Sequence, residues 1–119
     1  MRNNTILKLA FTGYIVVTIW VSLTPINQPT VLSSYDKIGH FLTYCGLALL
    51  ACLAFPSRNG KILALLFSFG LGVVLEGIQA TVPGRNMSLL DGLANSLGIV
   101  TGIIIYYFQR ETCKRWLHL

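Results

Sequence analysis

Four apolar runs, 6–24, 38–55, 62–82 and 89–108, constrain this chain more than anything else in it. Each is close to the ~20 residues that a helix needs to cross the hydrocarbon core of a bilayer. Pro25, Pro56 and Pro83 follow the first three runs directly. A residue with no N–H and a fixed φ does a helix least harm at its end. The fourth run passes into a charged tail. Only 11% of the 119 residues are charged, against about 25% in a typical soluble domain. The chain therefore lacks the polar material to coat a surface facing water. The expectation is an all-α, membrane-embedded bundle of four transmembrane helices, forming one domain over 1–119. Arg2 and Lys8 at the start of the first run raise the alternative of a signal peptide. The run is long for one and no small-residue cleavage site follows, so a retained helix is expected.

The net charge of +5 does not point to nucleic acid. The basic residues are scattered through the gaps between apolar runs, as in cytoplasmic membrane loops. Arg2 and Lys8 lie at the N-terminus, Arg58 and Lys61 in the second connection, and Arg110, Lys114 and Arg115 in the tail. The other two connections hold only Lys37 and Arg85. The positive-inside rule then places both termini and the second connection in the cytoplasm. Three cysteines, an odd number, argue against a disulfide framework. Cys45 and Cys52 stand about 10 Å apart along one helix by its rise, beyond disulfide reach. They read as small helix-packing residues.

Three of the four acidic residues, Asp36, Glu76 and Asp91, fall at one depth, the outer side, with His40, Gln79, Arg85 and Asn95. Asp36, His40 and Tyr44 are spaced by four and share a face of the second helix. Glu76 and Gln79 share a face of the third, and Asp91 and Asn95 a face of the fourth. Each has a bland reading beside a functional one. Asp36 can answer the helix dipole. Ser88 and Asp91 have capping-box spacing. Lys37 and Arg85 suit interfacial anchors, Asn95 interhelical glue, and His40 a packed, satisfied histidine. Glu76 resists such a reading. With the third helix ending at Val82, it would lie roughly 9 Å inside the helix end. Intramembrane charges cost about 2.5–3.5 kcal/mol and usually mark function. Arg85 and His40 are its expected partners, and Gly72, one turn earlier, leaves room for a neighbour or ligand. Gly98 and Gly102 form a small-xxx-small pattern for close helix packing. Tyr106 to Phe108 and Trp116 suit an aromatic belt on the inner side, and Trp20 the outer part of the first helix.

Two stretches, "YDKIGHFLTY" and "LEGIQATVPGRNMSLLDGLANSLGIVTG", resemble the VanZ-like family of small bacterial membrane proteins. The resemblance runs from Asp36 to Gly102. It rests on Asp36, Lys37 and His40, on Glu76 and Gln79, on Pro83 and Arg85, and on Asp91, Asn95 and Gly98. It implies a four-helix domain in the bacterial cytoplasmic membrane. The founding member is associated with teicoplanin resistance, and the family has been placed with enzymes of lipid headgroups. The resemblance thus suggests a pocket acting on the phosphate-bearing head of an envelope lipid. Arg85 or Lys37 would hold the phosphate, arginine with two parallel hydrogen bonds. His40 would be general base or nucleophile. Asp36 would orient it, and Glu76 would be a general acid or base. Asp91 with Glu76 would alternatively hold Mg²⁺ against a diphosphate. Gln79, Asn95 and Tyr44 would contact substrate. Two other readings stand beside this one. The same pocket could bind or transport a lipid head or a glycopeptide antibiotic without turnover, and at this length transport would require a homo-oligomer. Alternatively, the polar cluster only locks the helices together.

Overall fold

The computed structural model describes residues 4–24, 33–83 and 89–117, without the side chains of 33–36 and 116–117. Four helices account for nearly all of them: α1 Asn4–Leu23, α2 Ser33–Ala54, α3 Arg58–Gln79 and α4 Leu89–Leu117. All four are long and apolar enough to cross a membrane, which makes this a multi-pass membrane protein. The boundaries differ from the apolar runs where local chemistry intervenes. Ser57 caps α3, accepting a hydrogen bond from the Gly60 N–H at 3.0 Å, so α3 starts four residues before its apolar run. At its other end the Thr81 and Val82 amides bond to Ile78 and Gln79 carbonyls in a turn ahead of Pro83. The ring of Pro83 disfavours a helical residue before it. Hence α3 ends at Gln79 rather than Val82, and Glu76 lies in its last turn, only about 4.5 Å from the helix end by helical rise. At 29 residues, α4 runs past Phe108 through the charged tail.

The tightest contact joins α2 and α4, which run the same way. His40 meets Asn95, Phe41 meets Gly98, and Cys45 and Ala48 meet Gly102, both numbers rising together. The two glycines let the helices touch backbone to backbone. A Cβ at Gly98 would collide with the Phe41 carbonyl oxygen. One at Gly102 would stand 2.5 Å from the Cys45 carbonyl oxygen and 2.8 Å from the Ala48 Cβ. The small-xxx-small pattern therefore selects α2 as its partner. Cys52 is buried and Cys45 half-buried on the same helix, whereas Cys113 is exposed; all three are free thiols.

The other two helices run against this pair. Gly72 and Glu76 of α3 face Tyr44 and His40 of α2 in reverse order. Phe11 of α1 packs edge-on against Phe55 at 5.6 Å, and the Tyr14 hydroxyl donates to the Thr43 carbonyl at 2.7 Å. Leu47, Ala48, Ala51 and Ala54 of α2 are fully buried at the centre. Outward-facing residues such as Leu9, Val16, Leu63, Val73 and Ile104 are apolar and more than half exposed, the surface that a bilayer solvates. Trp20 is also exposed, near the end of α1.

The glycine contact predicts an asymmetry among glycine substitutions. Gly102→Leu drives a side chain into the α2 backbone and should lower stability to SDS unfolding by about 1–3 kcal/mol or more. Gly70→Ala, on α3 with nothing within 4 Å of the added Cβ, should be neutral or stabilise by up to about 1 kcal/mol through helix propensity. A second check concerns α1. Tyr14→Phe removes its hydrogen bond to Thr43 and should cost about 1 kcal/mol in the same titration.

Candidate functional site

The register of α2 against α4 places His40 beside Asn95, and α3 adds Glu76. His40 Nδ1 lies 2.8 Å from Asn95 Oδ1 and 3.6 Å from Glu76 Oε1. With Asn95 Oδ1 as the near oxygen, the bond forms in the tautomer that carries its proton on Nδ1. Nδ1–H then donates to Asn95, and in a neutral ring Nε2 keeps the lone pair. Asp91 lies in the first turn of α4, one turn before Asn95, and joins the same cluster. Glu76, Asp91 and Asn95 are all buried, and the His40 side chain is only 10% exposed. One ligand atom each from His40, Glu76 and Asp91 lie within 4.8 Å of one another. A nitrogen and two carboxylates at that spacing could hold one metal ion. Binding through Nδ1 would displace the Asn95 hydrogen bond, whereas binding through Nε2 would keep it and fix the tautomer, as outer partners of metal-bound histidines commonly do.

Below this cluster the packing is dense. A Cβ at Gly72 would lie 3.1 Å from Tyr44 Cε1 and 3.3 Å from Asn95 Nδ2. The space that Gly72 opens is thus taken by two side chains of the neighbouring helices, and Tyr44, 2% exposed, forms the floor. Gln79 turns elsewhere. Its side-chain amide donates to the Ser22 carbonyl of α1 at 2.9 Å, tying the ends of α3 and α1 together. Lys37 is half-buried one turn before His40. The Asp36 side chain and Arg85 lie outside the described residues.

The structure thus brings His40, Glu76, Asp91 and Asn95 together, with Tyr44 beneath and Gln79 diverted to α1. Sequence reasoning missed the part played by α1. Its contribution is the backbone carbonyl of Ser22, which leaves no trace in side-chain spacing. Tyr14, spaced by four from the buried Thr18, was the available signal for the docked face.

Comparison with known proteins adds one finding. The VanZ/LLP1 family model matches residues 4–110, which takes in all of α1 as well as the polar motifs of α2, α3 and α4. No curated protein and no solved structure matches the chain. With almost its whole length covered, and with His40, Glu76, Asp91 and Asn95 gathered at one end of a four-helix membrane bundle, the chain belongs to the VanZ/LLP1 family.

Proposed function

We propose that this protein acts in the bacterial cytoplasmic membrane on the phosphate-bearing headgroup of an envelope lipid, presented at the outer leaflet. One observation carries the reading: a histidine, two carboxylates and an amide converge from three helices inside a chain that is otherwise apolar. Ionisable groups at membrane depth cost stability and are kept mainly where they do chemistry. The orientation follows from the basic residues. Lys8, Arg58, Lys61, Arg110 and Lys114 belong to the starts of α1 and α3 and the end of α4, the end opposite the cluster. The positive-inside rule makes that end cytoplasmic and turns the cluster outward.

In this reading His40 is the general base or nucleophile. Its Nδ1–H is held by Asn95, which points Nε2 at the reacting group. Asp36, one turn earlier on α2, polarises it, its negative charge favouring the imidazolium that forms as Nε2 takes up a proton. Glu76 passes a proton as general acid or base, Tyr44 closes the floor, and Gln79 supports the site from behind by tying α3 to α1. Arg85 and Lys37 meet the phosphate, arginine with two parallel hydrogen bonds. A divalent cation such as Mg²⁺ on Glu76 and Asp91 would screen the same charge. A non-catalytic module that binds or carries a lipid headgroup or a glycopeptide would use the same groups, the carrier as a homo-oligomer.

The test uses the purified protein in nanodiscs with isoprenoid and glycerolipid phosphates, with and without EDTA. Released headgroup or phosphate is measured by mass spectrometry. Turnover is expected to fall about 10²–10⁴-fold in His40→Ala, the usual range for a lost acid–base group. Saturable binding without product, lost in the same variant, would replace the enzyme with the module. If no phosphate-bearing lipid either binds or turns over, the reading fails. A companion measurement separates function from scaffolding. Glu76→Gln should leave SDS stability unchanged or raised while activity is lost. A large fall in stability would instead make Glu76 a structural lock.

A further inference from the structure

A second site lies at the opposite end of the bundle and shares no residue with the first. A cavity of about 710 Å³ opens there between α2, α3 and α4, touching the first residue of α1. Lys61, Arg110 and Lys114 line it with Tyr106, Gln109 and Asn4, and no carboxylate is among the described residues that line it. Tyr106, Arg110 and Lys114 are spaced by four, so one face of α4 delivers all three.

Lys61 is the unusual member. It is only 9% exposed. Its ammonium donates to the Pro56 carbonyl at 2.9 Å and lies 5.4 Å from the centre of the Tyr106 ring. An ammonium has three N–H donors, and the carbonyl takes one. Among the described residues no carboxylate pairs with it; the neighbouring cation Lys114 has Glu111 at 3.6 Å. A buried cation without an anion is costly unless a counter-charge arrives from outside. The wall also explains the kind of anion. Leu53 and Cys52 make one side apolar, and Tyr107 and Phe108 stand exposed on α4 just before Gln109 and Arg110. The cavity therefore sits where the apolar span gives way to charge, at headgroup depth.

We propose that this cavity binds the phosphate of an anionic phospholipid from the leaflet at that end. Lys61 neutralises the phosphate from inside, and Arg110 and Lys114 close on it from the rim. Tyr106 stacks on Lys61 and keeps its ammonium turned inward. Basic pockets between transmembrane helices are a known means of holding anionic headgroups.

The experiment titrates the full chain in non-ionic detergent with short-chain phosphatidylglycerol, phosphatidylcholine or glycerol 3-phosphate, and reads binding from the rise in Tm. Phosphatidylglycerol is expected to bind more tightly than phosphatidylcholine. Arg110→Gln, an exposed position, should weaken it roughly fivefold, the effect of one basic residue near an anionic surface. Lys61→Met should weaken it at least as much while the lipid-free Tm holds or rises. Arg115→Gln removes the same charge next to the cavity but not from its lining, and should leave the affinity unchanged. Equal affinity for both lipids overturns the proposal, as does an equal loss in Arg115→Gln and Arg110→Gln. A full response to glycerol 3-phosphate alone overturns the lipid assignment. Should Lys61→Met fail to fold, the two arginine variants decide the matter.

Discussion

Gly98 and Gly102 set α4 directly on the backbone of α2, and the remaining geometry follows from that contact. Two helices separated by one other in sequence, and parallel in an alternating bundle, would ordinarily stand diagonally apart. Without side chains between them they become the central pair instead. In a bilayer this is a favourable solution, because lipid tails leave close van der Waals packing as a main force between helices. The buried alanines of α2 continue the same close-packed surface towards the other end of the bundle.

The contact also fixes the register at which polar groups meet. His40 lies one residue before Phe41, and Asn95 one turn before Gly98, so closing the glycine contact brings imidazole and amide to 2.8 Å. The third helix then needs a gap of its own. Gly72 provides it, allowing Tyr44 and Asn95 to pack under Glu76. Glycine thus serves the site twice, once by drawing two helices together and once by making room beneath the third.

The bundle is chemically polarised along its 53 Å axis. One end gathers carboxylates, histidine and amides in a buried cluster. The other gathers lysines and arginines, one of them buried against a carbonyl and an aromatic ring. Each arrangement suits a different depth. The cluster lies close to the helix ends, since α3 stops at Gln79, so Glu76 is nearer the headgroups than its apolar run implies. A group at that level is cheaper to keep ionised than one at the bilayer centre, and it is within reach of a polar ligand. Gln79, aligned with Glu76 by spacing, is used to anchor α1 through the Ser22 carbonyl.

Composition and proline placement were enough to read four membrane helices, because apolar length and helix ending are local properties. The spacing of His40 and Tyr44, of Glu76 and Gln79, and of Asp91 and Asn95 showed which residues share a face, because a helix repeats every 3.6 residues. It showed equally that Gly98 and Gly102 form a packing face. Spacing within one helix carries no information about the helix opposite. Only the tertiary structure decided that the glycines choose α2, that Asn95 holds His40 while Gln79 turns to α1, and that Lys61 is buried inside a basic cavity. Those outcomes depend on backbone carbonyls at Phe41, Cys45, Ser22 and Pro56, which every residue possesses and which no residue type announces.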